Sequence, residues 1–332
     1  MERNKKNRRA SRRLVLMGSL LAAVCVVSVL GGAVKISIGD VFALGSGEPL
    51  TGAGRILLYV RLPRIAGALI AGIGLAGAGA VIQTILENPL AGPNIIGVNA
   101  GAGFAVTLCG ALFPGLYAAL PMAAFLGALL TVLFVYFLGK RTGSSKMTLV
   151  LSGVAVNSLF NGASDAVYTF REASLLSSNA FKIGGLGGLN IKVLGYAAIA
   201  VLAAMLLLLL FVNELEVFAL GEETATALGL PVGFYRFFFL TLAAVLAGAA
   251  VSFAGLLGFV GLMVPHMARL LVGEEMRYFL PASGILGALF LLGCDYLART
   301  CFAPYELPVG IILSFLGAPF FLWLLLRRKR IR

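Results

Sequence analysis

Histidine, tryptophan and acidic side chains are scarce in this 332-residue chain: one His, one Trp, and 14 Asp+Glu against 26 Lys+Arg. A lone histidine, His266, with no cysteine or carboxylate at ligand spacing, excludes a metal site, and its place at the end of an apolar run reads as a helix-end residue meeting local carbonyls. The four cysteines, Cys25, Cys109, Cys294 and Cys301, form no C-x-x-C and lie in or beside apolar runs, which excludes a disulfide framework and makes them small core residues. A Walker A loop is missing as well. Gly139-Lys140 has Phe134 where the first glycine must stand, so the chain does not bind ATP by a P-loop of its own. No nucleophile and base share an apolar run, which weighs against a membrane-embedded enzyme.

Charge is the next shortage. Only 12% of residues are charged and 60% are hydrophobic, with a mean hydropathy of +1.00. A soluble protein of this length cannot hide that much apolar surface, so the expected fold is an all-α, polytopic membrane protein. The 42 glycines then indicate close helix packing rather than loops. Gly72-Ile-Gly74-Leu-Ala-Gly77 matches a dinucleotide fingerprint but sits inside an apolar span with no strand before it, so it too reads as packing. Gly67, Ala71, Gly74 and Ala78 extend the same small-residue spacing, and they suit a contact with a second copy or one within the chain.

Residues 1–13 hold seven Lys/Arg and form a basic tail; residues 14–326 form one transmembrane domain; residues 327–332 form a second basic tail. Ten spans are expected, near 14–34, 65–85, 94–113, 116–138, 147–168, 193–212, 234–255, 256–272, 278–298 and 308–326. The basic flank of the first, uncleaved span places the N-terminus in the cytoplasm, and an even count places the C-terminus there too. Of the 26 Lys+Arg, only Lys35, Arg55, Arg61, Arg64, Arg171, Lys182, Lys192 and Arg299 then fall outside. Arg61, Arg64 and Arg299 sit at span ends on that side. They are either headgroup anchors or a basic patch for an acidic partner.

Residues 213–231 reverse the anomaly. Glu214, Glu216, Glu222 and Glu223 occur without a basic residue on the side where positives are expected. Gly221 to Leu230 reads as a short helix, with acids in its first turn and Gly229 and Pro231 as stop. Ala225, Leu228 and Ala227 are spaced to share an apolar side, so this is a solvated loop helix or a docking surface for another protein. Outside, Gly184, Gly185, Gly187 and Gly188 fit a gate or vestibule at the mouth of a pathway, and equally a flexible turn. Acidic residues near the membrane are few. Asp165 alone is a candidate for ion coupling, and Ser164 and Tyr168 are at hand to satisfy it.

Several motifs now carry a resemblance. Arg61-Leu-Pro-Arg64 opens the second span, and Gln83 to Pro93 (QTILENPLAGP) follows it. Gly258 to His266 (GFVGLMVPH), Asp295-Tyr-Leu-Ala-Arg299, Glu306-Leu-Pro308-Val-Gly310 and Gly317 to Trp323 (GAPFFLW) complete the set. Together they resemble permease subunits of ABC importers for iron-siderophores, haem and cobalamin, the FecCD/BtuC family, over about residues 14–326. Asn179 to Lys182 lacks an expected Trp, and Asn190 stands where an aromatic is common, which bears on substrate identity.

The resemblance implies a BtuC-like permease of about ten transmembrane helices, multi-pass in the cytoplasmic (inner) cell membrane. It implies transport rather than catalysis, no cofactor and no nucleic acid. The implied partners are a second permease copy, an ABC ATPase subunit inside and a substrate-binding protein outside that hands over a metal chelate. Arg61, Arg64 and Arg299 map onto the family's docking arginines, and Gly221, Glu222, Glu223, Ala225, Leu228 and Gly229 onto its coupling helix. An ion-coupled secondary transporter is the alternative reading.

Overall fold

The structure is a computed structural model that describes residues 2–32, 34, 36–37, 39–40, 51–142, 146–171, 174–302 and 305–328. Lys35 and residues 329–332 of the C-terminal tail lie outside the described residues. Among those described, the regular structure is entirely helical. In chain order the helices are α1 (Glu2–Leu30), α2 (Gly52–Ile56), a π turn (Leu57–Arg61), α3 (Leu62–Ile85), α4 (Val98–Leu112), α5 (Leu120–Arg141), α6 (Lys146–Phe170) and α7 (Ser174–Ile183). They continue with α8 (Ile191–Leu210), α9 (Val212–Phe218), α10 (Glu222–Ala227), α11 (Val232–Ala254), α12 (Val260–Val272), α13 (Met276–Thr300) and α14 (Val309–Arg328).

Among the described residues, six helical stretches are long and apolar enough to cross a membrane: α1, α2 through α3, α5, α8, α11 and α13. Three more, α4, α12 and α14, are apolar and shorter, and α6 has the length with more polar residues. These ten occupy the ten segments expected from sequence. The basic N-terminal residues are helical and continuous with α1, which starts at Glu2.

The hub is α3. Its most apolar window is 78% buried, against 11% for α1 at the periphery. Small residues cause this, because each lets a neighbouring backbone approach. A Cβ on Gly72 would lie 2.3 Å from the Gly287 carbonyl oxygen of α13, one on Gly74 2.8 Å from Leu246 O of α11, and one on Gly79 1.8 Å from Gly261 O of α12. The Gly72–Gly77 motif is therefore helix packing. Ala71 and Ala78 are fully buried, and Gly67 meets the Leu189 side chain, so these small residues pack within the chain.

Two of the non-helical connections carry the non-glycine residues with positive φ, Glu87 and Phe259. Between α3 and α4, Glu87 adopts φ 46°, the Asn88 Oδ1 accepts from Leu90 N at 3.0 Å, and Gly97 at φ 93° opens α4. Between α11 and α12, Gly255 (φ 71°) and Phe259 (φ 65°) break the chain. With 13 residues α12 is about 20 Å long, short of the ~30 Å hydrocarbon core. Irregular backbone at membrane depth persists where protein satisfies it. Here Leu256 N donates to Phe181 O (2.9 Å), Gly185 N to Ala254 O (2.8 Å) and Gly310 N to Gly184 O (3.3 Å). The ends of α7, α11 and α14 are thereby knotted together.

Candidate functional site

Charged side chains collect at the two ends of the bundle. One end is built where α1 finishes, α3 begins and α13 finishes. Pro63 lacks an N–H, and just before it the helix widens into the π turn, with Leu62 N bonding back to Leu57 O. That turn carries Arg61. Its Nη1 donates to Val29 O at 2.7 Å, and its Nη2 donates to Val34 O. One turn on, Arg64 Nε donates to Asp295 Oδ1 at 2.7 Å and Nη1 to Glu306 Oε2 at 2.5 Å. Arg299 Nε donates to Asp295 Oδ2 at 3.0 Å, and its Nη2 to Ser28 Oγ at 2.6 Å.

These arginines, expected as headgroup anchors or as a basic patch for an acidic partner, are held by partners within the chain. Arg61, Arg64 and Arg299 are 4%, 5% and 6% exposed, and Asp295 is fully buried between two of them. The physical reason is that a buried guanidinium requires a partner, and α13 supplies a carboxylate with both oxygens used. The three arginines line a cleft with Gly32, Val60 and Glu306, and the Glu306 side chain is 55% exposed at its mouth. Sequence reasoning missed Asp295 and Glu306 as partners. The i,i+4 spacing of Asp295 and Arg299 was the available signal. Nearby, outside the spans, Ser37 and Thr51 hydrogen bonds hold the Asp40 carboxyl below its usual range.

The opposite end is organised by α10. Gly221 (φ 98°) caps its start. At its finish Gly229 N donates to Thr226 O (2.9 Å) and Leu230 N to Ala225 O (3.0 Å), a Schellman closure that Gly229 permits at φ 83°. Glu222 pairs with Arg236 of α11, and Lys146 of α6 pairs with Glu87 at 2.5 Å. Glu87, Lys146 and residues 220–224 line one groove. Arg236, Glu87 and Lys146 were not among the expected site residues.

Ala225 is a correction. It is fully buried against its own chain, whereas Leu228 is 63% exposed and Ala227 is exposed. The three do not share a side, because the Glu222–Arg236 pair and the closure at Ala225 turn that residue inward. The exposed members of the set are Glu223, Leu228 and Gly229.

The glycine cluster divides. Gly184 (φ 70°) lies in the knot, where a Cβ would come 2.5 Å from Leu256 O, and Gly185 donates within it. Gly187 and Gly188 sit in an exposed turn with nothing within 4 Å of a Cβ.

Asp165 is exposed on α6; its backbone carbonyl accepts from Thr169 Oγ1 at 2.9 Å, and its carboxylate has no hydrogen bond or ion pair among the described residues. Ser164 donates to Phe160 O, and the Tyr168 hydroxyl pairs with Thr107, so neither satisfies it. The buried carboxylate of the described residues, Asp295, is matched by two guanidinia, which disfavours an ion-coupled carrier.

Comparison with known proteins agrees with this architecture. The FecCD transport family matches residues 20–327. YfhA of Bacillus subtilis, assigned as a siderophore transport system permease protein, is 39% identical over 95% of this chain and 94% of its own. HmuU of Yersinia pestis, a hemin transport system permease protein, is 35% identical over 98% of this chain and 99% of its own. A solved chain in an inward-facing conformation, assigned to a metal-chelate type ABC transporter, superposes with a TM-score of 0.85 at 29% identity, covering 96% of this chain and 99% of that one. With its apolar helices in the expected order, this multi-pass membrane protein belongs to the FecCD transport family.

Proposed function

We propose that the chain is the membrane permease of an ATP-driven importer for a metal chelate, with an iron-siderophore the favoured cargo and haem or cobalamin the other members of that class. The observation that carries the reading is the outer face of α6. Ser158, Asn161, Asp165 and Thr169 recur at three- and four-residue spacing and are all exposed. Hydrocarbon does not tolerate such a stripe, so it borders water, as the wall of a translocation path does. A second copy of the chain facing this stripe would enclose the path. We read both termini as cytoplasmic, a reading that the basic tails and loops support. Reconstitution with the ATPase and binding protein tests the reading. Chelate uptake should require ATP and survive an uncoupler; uptake that persists without ATP and collapses with the uncoupler overturns it.

The α10 end is assigned to the ATPase and the arginine end to the binding protein. At the first, Leu228 is the exposed apolar contact, and Gly221, Glu222, Glu223, Gly229 and buried Ala225 shape its support. Leu228→Arg should cost about 2 kcal/mol of ATPase affinity, the size of an interface hot spot, and abolish copurification with folding unchanged. Normal copurification and normal uptake would remove α10 from the interface.

At the other end an acidic partner would reach Arg61, Arg64 and Arg299 through their cleft, past Glu306. Glu306→Gln should raise the association rate of the binding protein roughly threefold at low salt, with the gain vanishing at high salt. Identical rates across a salt series would dismiss this docking site.

A further inference from the structure

We propose that the pocket between α5, α6 and α11 binds the headgroup of an anionic phospholipid whose acyl chains lie along the outer face of α5. The pocket is walled by Tyr136 and Lys140 of α5, Leu149 of α6, and Val232, Gly233 and Arg236 of α11. Two cations from different helices meet in it. Lys140 is exposed at the rim, and Arg236 is 5% exposed at the back. Arg141 is exposed beside the rim, and Glu222 reaches Arg236 from α10.

The surface that leads to the pocket names the rest of the ligand. Leu126, Leu130, Phe134 and Phe137 are 43%, 61%, 52% and 52% exposed. Their spacing of four, four and three residues puts them on one face of α5, in a column that ends at Lys140. The Tyr136, Phe137 and Phe237 rings lie 5.2–6.0 Å apart where the column meets the pocket. Aromatic rings favour the headgroup level of a bilayer, and basic pockets between helices at the basic-loop side suit anionic headgroups. A water-soluble anion would use the cations and leave the column bare. A zwitterionic lipid would bring its own cation against Lys140 and Arg236. A phosphatidylglycerol-like lipid matches both parts. The proposal is independent of what the permease carries.

The test is a titration of the purified full-length permease with phosphatidylglycerol, phosphatidylcholine and inorganic phosphate, read by native mass spectrometry. One phosphatidylglycerol should be retained in preference to phosphatidylcholine, and millimolar phosphate should not displace it. Lys140→Gln should weaken retention about fivefold, the share of one basic residue at an anionic surface. Gly233→Phe is the second variant. A Cβ there meets nothing within 4 Å, so the substitution starts without a backbone clash; with the ring in the pocket, retention should be lost with the melting temperature unchanged. Equal retention of phosphatidylcholine would mean a general lipid shell and overturn the site, and saturation by phosphate would make it a free-anion site. Wild-type retention in both variants overturns it as well. So does loss of ATPase copurification with lipid retention intact, which would give the pocket to the ATPase.

Discussion

Asp295→Ala should be the most damaging single polar substitution in the chain, reducing the amount of folded permease in the membrane and lowering its melting temperature steeply. Asp295 uses both carboxylate oxygens, one for Arg64 and one for Arg299. Its removal leaves two guanidinia under 7% exposed without their charge partner. Breaking a buried pair in this way costs roughly 3–5 kcal/mol, because the remaining charge keeps its desolvation penalty and loses its compensation. Glu306 can hold Arg64 from the other side, but Arg299 retains only neutral partners, the Ser28 hydroxyl and the Tyr296 ring 5.8 Å away. Replacing the whole set should be much milder. A triple variant with Arg64→Met, Asp295→Leu and Arg299→Met removes the charges together and should recover most of the stability. Size-exclusion profiles of heated, detergent-solubilised protein would read both. A single variant as stable as the parent, or a triple variant no better than the single, would contradict the assignment of Asp295 as the counter-ion.

The second large effect is expected from one methyl group. Gly79→Ala places a Cβ 1.8 Å from Gly261 O, and even a tight contact requires 3.0 Å. Both sides of this contact are backbone, so neither can yield by changing rotamer. The hub helix α3 must then part from α12, undoing an interface in which a Cβ on Gly261 would likewise lie 2.7 Å from Leu75 O. Overpacking of this kind costs about 1–3 kcal/mol or more. Gly195→Ala on α8 is the matched control. A Cβ there meets nothing within 4 Å, and alanine is the better helix former by about 1 kcal/mol, so that variant should be neutral or slightly stabilised. If the two variants melt alike, the close approach of α3 and α12 is not as described.

Much of this was legible in the residues, and what was not has a common cause. Apolar run lengths located ten helices because the bilayer sets their length and the signal is local. The small-residue spacing at Gly72, Gly74 and Gly77 was read correctly for the same reason, since what suits a close helix contact lies on one helix. Arg64 and Arg299 were found as anomalies but described as a patch. Their partner Asp295 is one turn from Arg299 yet 231 residues from Arg64, and charge counting along a chain does not show which buried groups meet. Ala225 failed differently. A six-residue helix has too few positions for periodicity to fix its inward side, and here the Glu222–Arg236 contact decides it. The Gly184–Gly188 cluster was one feature in sequence and two in space, because only Gly184 and Gly185 meet the broken backbone of Gly255 and Leu256.

The distance along the chain between Arg64 and its partner also has a consequence for synthesis. At ~5–20 residues per second the ribosome needs on the order of ten to fifty seconds to make the 231 residues that separate Arg64 from Asp295. Throughout that interval α3, the helix at the centre of the finished bundle, is in the membrane with Arg61 beside an Arg64 that still lacks the carboxylate that will neutralise it. The nascent chain must therefore keep those side chains at the water interface, where long basic residues can extend. Only the arrival of α13 lets α3 take its final depth. α13 thus acts as a checkpoint on α3, and a truncated product ending before Asp295 carries Arg64 without that counter-ion, a feature by which membrane quality control can recognise it.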